Sequence, residues 1–204
     1  MINNKRGAQR FMGRMRQFDK DKALAAAMHL FWARGYSATS IQDLEQATGL
    51  KRSSIYNTFG NKRALFQKCL ALYRLQVEEL LTTTMAEALT CREALAGWLS
   101  AVIAMHFSEQ TPGGCLMVLS VLEGGQHDEQ TREMAAALFH QERDMVQARL
   151  QRGVAQGELS PDFDCRAGAG AIAAASSGIM VLAMANYPQE ALEEISHAAL
   201  ALLG

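Results

Sequence analysis

Apolar residues return every three or four positions through most of the chain, and no stretch sustains the strict alternation of a strand. Leu24, Ala27, Met28, Phe31 and Trp32 form one such stripe and predict a first helix over about 19–34, with Gly35 placed for a left-handed cap. A short second helix is expected after Thr39-Ser40, with Ile41, Leu44 and Ala47 turned inward and Gly49 ending it. Thr39/Gln42 and Ser40/Asp43 both have N-capping spacing, and only the first pair fits the strict capping-box pattern. Residues 50–59 predict a third short helix anchored by Leu50, Ile55 and Phe59, broken at Gly60-Asn61 and followed by a long helix over about 62–84. Two short helices joined by a tight glycine turn, behind a supporting helix, make a helix-turn-helix unit.

Five more helices are predicted at about 92–109, 115–123, 128–156, 165–186 and 189–203, separated by Gly- and Pro-containing breaks. The fold class is therefore all-α, with about nine helices. A three-helix N-terminal helix-turn-helix domain precedes a C-terminal helical domain. The expected division is a basic flexible tail over 1–18, the helix-turn-helix domain over 19–65, and the C-terminal domain over 66–204. Residues 167–185 carry no charge, yet Ala, Gly and Ser dominate them, so a buried helix is expected rather than a membrane span. The expected compartment is the cytoplasm.

Charge sharpens this division. The net formal charge of −1 hides a segregation: residues 1–74 hold 14 Lys/Arg against 4 Asp/Glu, and residues 75–204 hold 6 against 17. A basic module for a polyanion is thus joined to a module that repels one. The cations Lys5, Arg6, Arg10, Arg14 and Arg16 have no acidic neighbour before Asp19, and suit non-specific phosphate contact or a minor groove. Cys69, Cys91, Cys115 and Cys165 lack CxxC spacing, which argues against a zinc finger and a secreted disulfide framework.

The run from Gly35-Tyr36-Ser37-Ala38-Thr39-Ser40-Ile41-Gln42-Asp43-Leu44 through Ala47-Thr48-Gly49-Leu50 to Ser54-Ile55-Tyr56-Asn57-Thr58-Phe59-Gly60-Asn61-Lys62 resembles the signature of the tetracycline-repressor (TetR) family. The resemblance covers about 19–70 and implies a DNA-binding transcriptional repressor. The residues suit that work on their own terms. Thr39 and Ser40 place hydroxyls and free N–H groups at a helix N-terminus, a seat for phosphate. Lys51, Arg52, Ser53 and Ser54 occupy the end of the third helix that meets base edges in a major groove, and Arg52 is the first choice for reading guanine. Tyr56 and Asn57 lie one turn further on, and Lys62 is placed to clamp a phosphate. Lys51 stands where the family has a small capping residue, and Thr58 where an aromatic is frequent.

The resemblance also implies that helices four to seven enclose an effector pocket and that the last two pair with their copies in a homodimer. Pocket candidates are Trp98, Val102, Met105, His106, Cys115, Met117, Phe139 and Met180. Gly170, Ala174 and Gly178 recur every four residues, a smooth stripe for close helix approach, and with Leu182, Leu192 and Ile195 make the expected dimer interface. Cys115 follows Pro112-Gly113-Gly114 and opens a helix, where the dipole is expected to lower the thiol pKa. Its Gly-Cys-Leu step is similar to a branch of the family that senses electrophiles or oxidants, while the plain alternative is a small buried thiol. An enzyme would use Cys115 with His106 or His127, but no acid orients either histidine and no catalytic signature is present. The spacing of His106, Cys115 and His127 is no metal-ligand signature, and no cofactor is implied. The expected partners are near-palindromic double-stranded operator DNA, a small-molecule or electrophile effector and a second copy of the chain. A DNA-binding regulator without an effector, constitutive or architectural, is the alternative.

Overall fold

The computed structural model describes residues 4–87 and 90–204, with side chains for 20–86 and 90–204. Among the described residues there are nine α-helices, two 3-10 turns and no strand. The chain divides into two compact units, residues 1–72 and 73–204, with the division falling inside the fourth helix.

In the first unit, α1 spans Asn4–Ala38, α2 Ile41–Thr48 and α3 Arg52–Phe59, and α4 begins at Lys62. The helix starts well before residue 19, so residues 4–18 have helical backbone where a flexible tail was expected. Gly35 interrupts α1 with φ 78° and ψ 169°, a conformation open to glycine alone, and turns the chain toward α2. The core follows the predicted stripe: Ala27, Met28 and Phe31 are fully buried, joined by Leu44, Ile55, Leu65 and Phe66 from the other helices. Phe31 meets Phe66 edge-on at 4.9 Å and Tyr36 lies 4.9 Å from the same ring, favourable aromatic geometries that hold α1 against the start of α4. Leu24 and Leu50 are only half-buried, and Ala47 is exposed instead of inward.

The second unit holds the rest of α4, which ends at Glu87, then α5 (Cys91–Phe107), α6 (Leu116–Leu122), α7 (Glu129–Ala155), α8 (Cys165–Met184) and α9 (Gln189–Leu200). Three of these starts, of α5, α7 and α8, are capped by a side chain. Thr90 and Glu93 form a capping box for α5, Asp128 accepts the Thr131 N–H at 3.0 Å, and Asp164 accepts those of Arg166 and Ala167. Helix α8 packs on α7, α9 and α5 through Ala169, Ile172, Ser176, Ile179 and Ala183, so the charge-free segment has one buried face. It is nevertheless long and apolar enough to pass a membrane-span test by composition. Gly153 lets α7 approach α5 closely, since a Cβ there would stand 3.0 Å from that of Cys91.

Candidate nucleic-acid interface and effector cavity

The outer face of α2–α3 is built on a buried base. Ile55 and Phe59 anchor α3 from below, leaving Lys51, Arg52, Ser53 and Asn57 exposed and Ser54 and Tyr56 half-buried. The cap of α2 is Ser40/Asp43 rather than Thr39/Gln42. Ser40 Oγ accepts the Asp43 N–H at 3.1 Å, and the Asp43 carboxylate accepts the Ser40 N–H at 2.8 Å and its hydroxyl at 2.6 Å. These Ser40 bonds, with Arg34 at 3.0 Å, hold the Asp43 carboxyl below its ordinary value. Thr39 is corrected as a surface donor. It is buried, and its hydroxyl donates to the Gly35 carbonyl at 2.7 Å, stitching the α1–α2 corner.

Lys51 occupies the N-cap of α3 and contributes no side-chain cap. Glu45 on α2 takes over, its carboxylate accepting the Arg52 N–H at 2.7 Å. The Arg52 guanidinium lies over the Tyr56 ring at 5.4 Å, a contact that narrows its rotamers and aims it along the exposed face. Lys62 is half-buried with Nζ 4.3 Å from the centre of the Tyr36 ring, so its stem is held while its charge remains near the surface. Asn61 caps α4 through the Ala64 N–H at 2.8 Å. Neither Glu45 nor Asn61 was singled out from sequence: the Glu45 contact joins residues seven apart on different helices, beyond any capping pattern.

The second unit encloses a small cavity of about 30 Å³ bordered by Trp98, Val102, Met105, Cys115, Phe139 and Met180, six of the expected pocket residues. His106 and Met117 are not among its walls. Met117 is fully buried in the core, and His106 Nδ1 accepts the Gly114 N–H at 2.7 Å, closing the loop before α6. Burial lowers the His106 pKa, in keeping with a ring that must stay neutral at Nδ1.

The polar member of the cavity is one the sequence reading passed over. Glu142, 6% exposed, accepts the Trp98 indole N–H at 2.9 Å and is hydrogen-bonded by Ser176. Burial raises its pKa, opposed by these two donors. Tyr73 also borders the cavity beside Cys115. Cys115 is the N-cap of α6, and the Val118 and Met117 N–H groups do lower its pKa, but burial outweighs them and the net shift is upward. The expected dipole-lowered thiol is thus corrected, because removing a thiolate from water costs more than two N–H dipoles return.

On α8, Gly170 and Ala174 are exposed and Gly178 and Leu182 half-buried. A Cβ at either Gly170 or Gly178 would meet no atom of the protomer. Ile195 on α9 is half-buried. Leu192 is wholly buried inside the protomer and is removed from the expected interface.

A small capped helix with an exposed polar edge, standing on a three-helix core and followed by a separate helical unit, defines a two-unit helix-turn-helix regulator. Two family models agree with this. Residues 23–69 match the bacterial regulatory proteins of the tetR family, and residues 91–199 match the tetracycline-repressor-like C-terminal domain. The chain belongs to the TetR family: it is a DNA-binding transcriptional regulator and not an enzyme. It is 38% identical over 160 residues to the HTH-type transcriptional repressor ComR of Escherichia coli K12, covering 74% of this chain and 73% of ComR. Among solved structures, a cysteine-substituted variant of the TetR family regulator CifR, complexed with 26-bp operator DNA, superposes with a TM-score of 0.85 at 32% identity. That match covers 90% of this chain and 96% of the CifR chain. A TetR regulator from Chloroflexus aurantiacus follows with a TM-score of 0.84 at 25% identity, covering 92% and 95%.

Proposed function

We propose that the protein is a cytoplasmic repressor that binds a near-palindromic operator as a homodimer through α3 and is released when an effector occupies the Trp98–Glu142 cavity. The observation that carries the DNA reading is α3 itself: Ile55 and Phe59 fix its inner face while Lys51, Arg52 and Ser53 stand exposed at its N-terminal end. That end meets base edges in helix-turn-helix complexes. Arg52 is the reader of a guanine, Tyr56 and Asn57 reach phosphate or a base edge, and Ser40, Ser54 and Lys62 hold the backbone. CifR with operator DNA supports this use of the fold. The exposed Gly170–Ala174 stripe, with Gly178, Leu182 and Ile195, supports pairing of α8 and α9 between two copies.

A selection of bound sequences from random DNA tests the reading. Arg52→Ala is expected to relax preference at one base pair by about 1–3 kcal/mol. An unchanged consensus would remove Arg52 from base readout, and a monomer at micromolar concentration in native mass spectrometry would remove the dimer. A regulator without an effector is favoured by one observation, the cavity size: 30 Å³ holds about one water. Release by an effector therefore requires the walls, Met105 and Met180 among them, to repack. A ligand acting so stabilises a dimer whose recognition helices no longer match the groove spacing, and coupling of about 1–3 kcal/mol suffices for 5- to 150-fold weaker binding.

A further inference from the structure

Helices α5, α7 and α8 meet along one seam, and its register brings two cysteines to the same corner. In the seam the Trp98 indole donates to Glu142 at 2.9 Å, and Ser176 bonds the same carboxyl. About two turns before Trp98 on α5, the Cys91 thiol reaches the Arg149 carbonyl at 3.7 Å. A Cβ on Gly153 would stand 3.0 Å from the Cys91 Cβ and 3.3 Å from its sulfur. Antiparallel α7 and α8 pair Glu142 with Ser176 and Leu150 with Gly168, and the same register sets Cys165 level with Gly153. Cys165 lies about three turns before Ser176, on the face of α8 that Ser176 turns to the seam. Cys91 and Cys165 are thus the first residues of α5 and α8, and both flank the α7 position that carries no side chain.

Both are free thiols, Cys91 buried and Cys165 half-buried. Burial pushes the Cys91 thiol up, and the Cys165 thiol, close enough to act on it electrostatically, pushes it the same way. Among the described residues no three His, Cys, Asp or Glu side chains gather to hold a metal ion, which leaves the pair for thiol chemistry. We propose that Cys91 and Cys165 form a reversible disulfide within one chain, tying the start of α5 to the start of α8 when a hydroperoxide oxidises the protein. The accessible Cys165 reacts first: its sulfur takes the terminal peroxide oxygen, the O–O bond breaks, and an alcohol or water leaves a sulfenic acid. The Cys91 sulfur then attacks that of Cys165. The S–S bond forms, the S–O bond breaks, and the hydroxyl departs as water with the Cys91 proton. A dithiol reductant reverses the change, being oxidised to its own disulfide. First turns of helices open at low cost, so the two ends can close on each other without disturbing the seam. The pair is separate from Cys115 and rests on neither the operator nor the effector reading.

Peroxide treatment of the folded full-length protein, followed by alkylation of the remaining thiols and non-reducing peptide mass spectrometry, tests the proposal. The main oxidised product is expected to be one peptide pair joining Cys91 to Cys165, lighter by two hydrogens and abolished by dithiothreitol. Cys91→Ser should leave a Cys165 sulfenic acid that dimedone traps, whereas Cys165→Ser should leave Cys91 reduced. Cys69→Ser and Cys115→Ser should not change the yield of the pair. Because the bond closes a long loop, oxidised wild type should melt several degrees above the reduced protein, a gain absent in Cys91→Ser. The proposal is overturned if peroxide leaves both thiols free, if Cys165 stops at sulfenic or sulfinic acid in wild type, or if it joins two chains or pairs with Cys69 or Cys115. A Cys91–Cys165 pair that forms only in urea-unfolded protein would overturn it as well.

Discussion

The two units handle polarity in opposite ways. Among the described side chains of residues 1–72, Thr39 is the one buried polar residue, and the charges of the helix-turn-helix stand at the surface. Residues 73–204 bury Ser120, His127, Thr131, Glu142, Arg149, Ser176 and Ser196. A polyanion is met at a surface, where cations are hydrated and cheap to place. A small molecule is recognised by desolvated groups, each of which costs free energy until satisfied. The contrast teaches that this chain keeps its DNA-facing charges hydrated and confines nearly all its desolvated polar groups to the second unit.

The sharpest way to break that contrast is at Trp98. Trp98→Ala empties a fully enclosed aromatic and strips Glu142 of its indole donor. It should cost about 3–5 kcal/mol of stability in urea titration. A loss under about 1 kcal/mol would show that the second unit does not depend on its buried polar pairing.

Glu142→Gln sharpens the same contrast through pH. With the folded pKa raised, the native state holds a proton that the unfolded chain releases, so wild-type stability falls as pH climbs from the ordinary 4.5 toward the raised value. The amide keeps an acceptor for Trp98 and has no charge to bury, so urea midpoints at pH 5 and pH 8 should differ less in the variant. His106 acts with the reverse sign. Its depressed pKa gives stability that is complete above 6.5 and lost as pH falls through the folded value, so His106→Gln should flatten the acid side of the curve. Identical pH profiles in wild type and Glu142→Gln would mean that the buried carboxyl carries no such linkage.

The smallest effect is expected in the first unit. Ser40→Ala removes one cap and should cost about 1 kcal/mol, measurable as a lowered melting midpoint. A larger loss would mean that the Ser40–Asp43–Arg34 chain is more than a local cap.

Much of the helix-turn-helix was legible because its signals are local. The Met28–Phe31 stripe, the left-handed Gly49 with φ 68° and the break at Gly60-Asn61 each depend on neighbours within a turn. The sequence left two capping pairs open because Thr39/Gln42 and Ser40/Asp43 differ by one residue, and only the path out of Gly35 decides which hydroxyl faces the helix. In the second unit, six of the residues expected from the family resemblance and helical spacing do border the small cavity, whereas Glu142 could not be drawn from the sequence. On α7 it reads as one more charged position, and its role arises from Trp98, 44 positions away. At Cys115 the plain alternative of a small buried thiol holds and the lowered pKa does not, for a related reason: a helix start is visible in sequence, while the burial that dominates the pKa is not. Leu192 and Leu182 likewise share a residue type and differ only in what packs above them.

The Glu45–Arg52 contact bears on the engineering of new operator specificities. The N-terminus of α3 is held by a carboxylate that belongs to α2, with Lys51 supplying nothing in its place. Transplanted into another scaffold as residues 51–59 alone, α3 would arrive uncapped at the end proposed to approach the bases. The transferable cassette begins at Ser40, and altered-specificity libraries that randomise 51–57 gain by leaving Glu45 untouched.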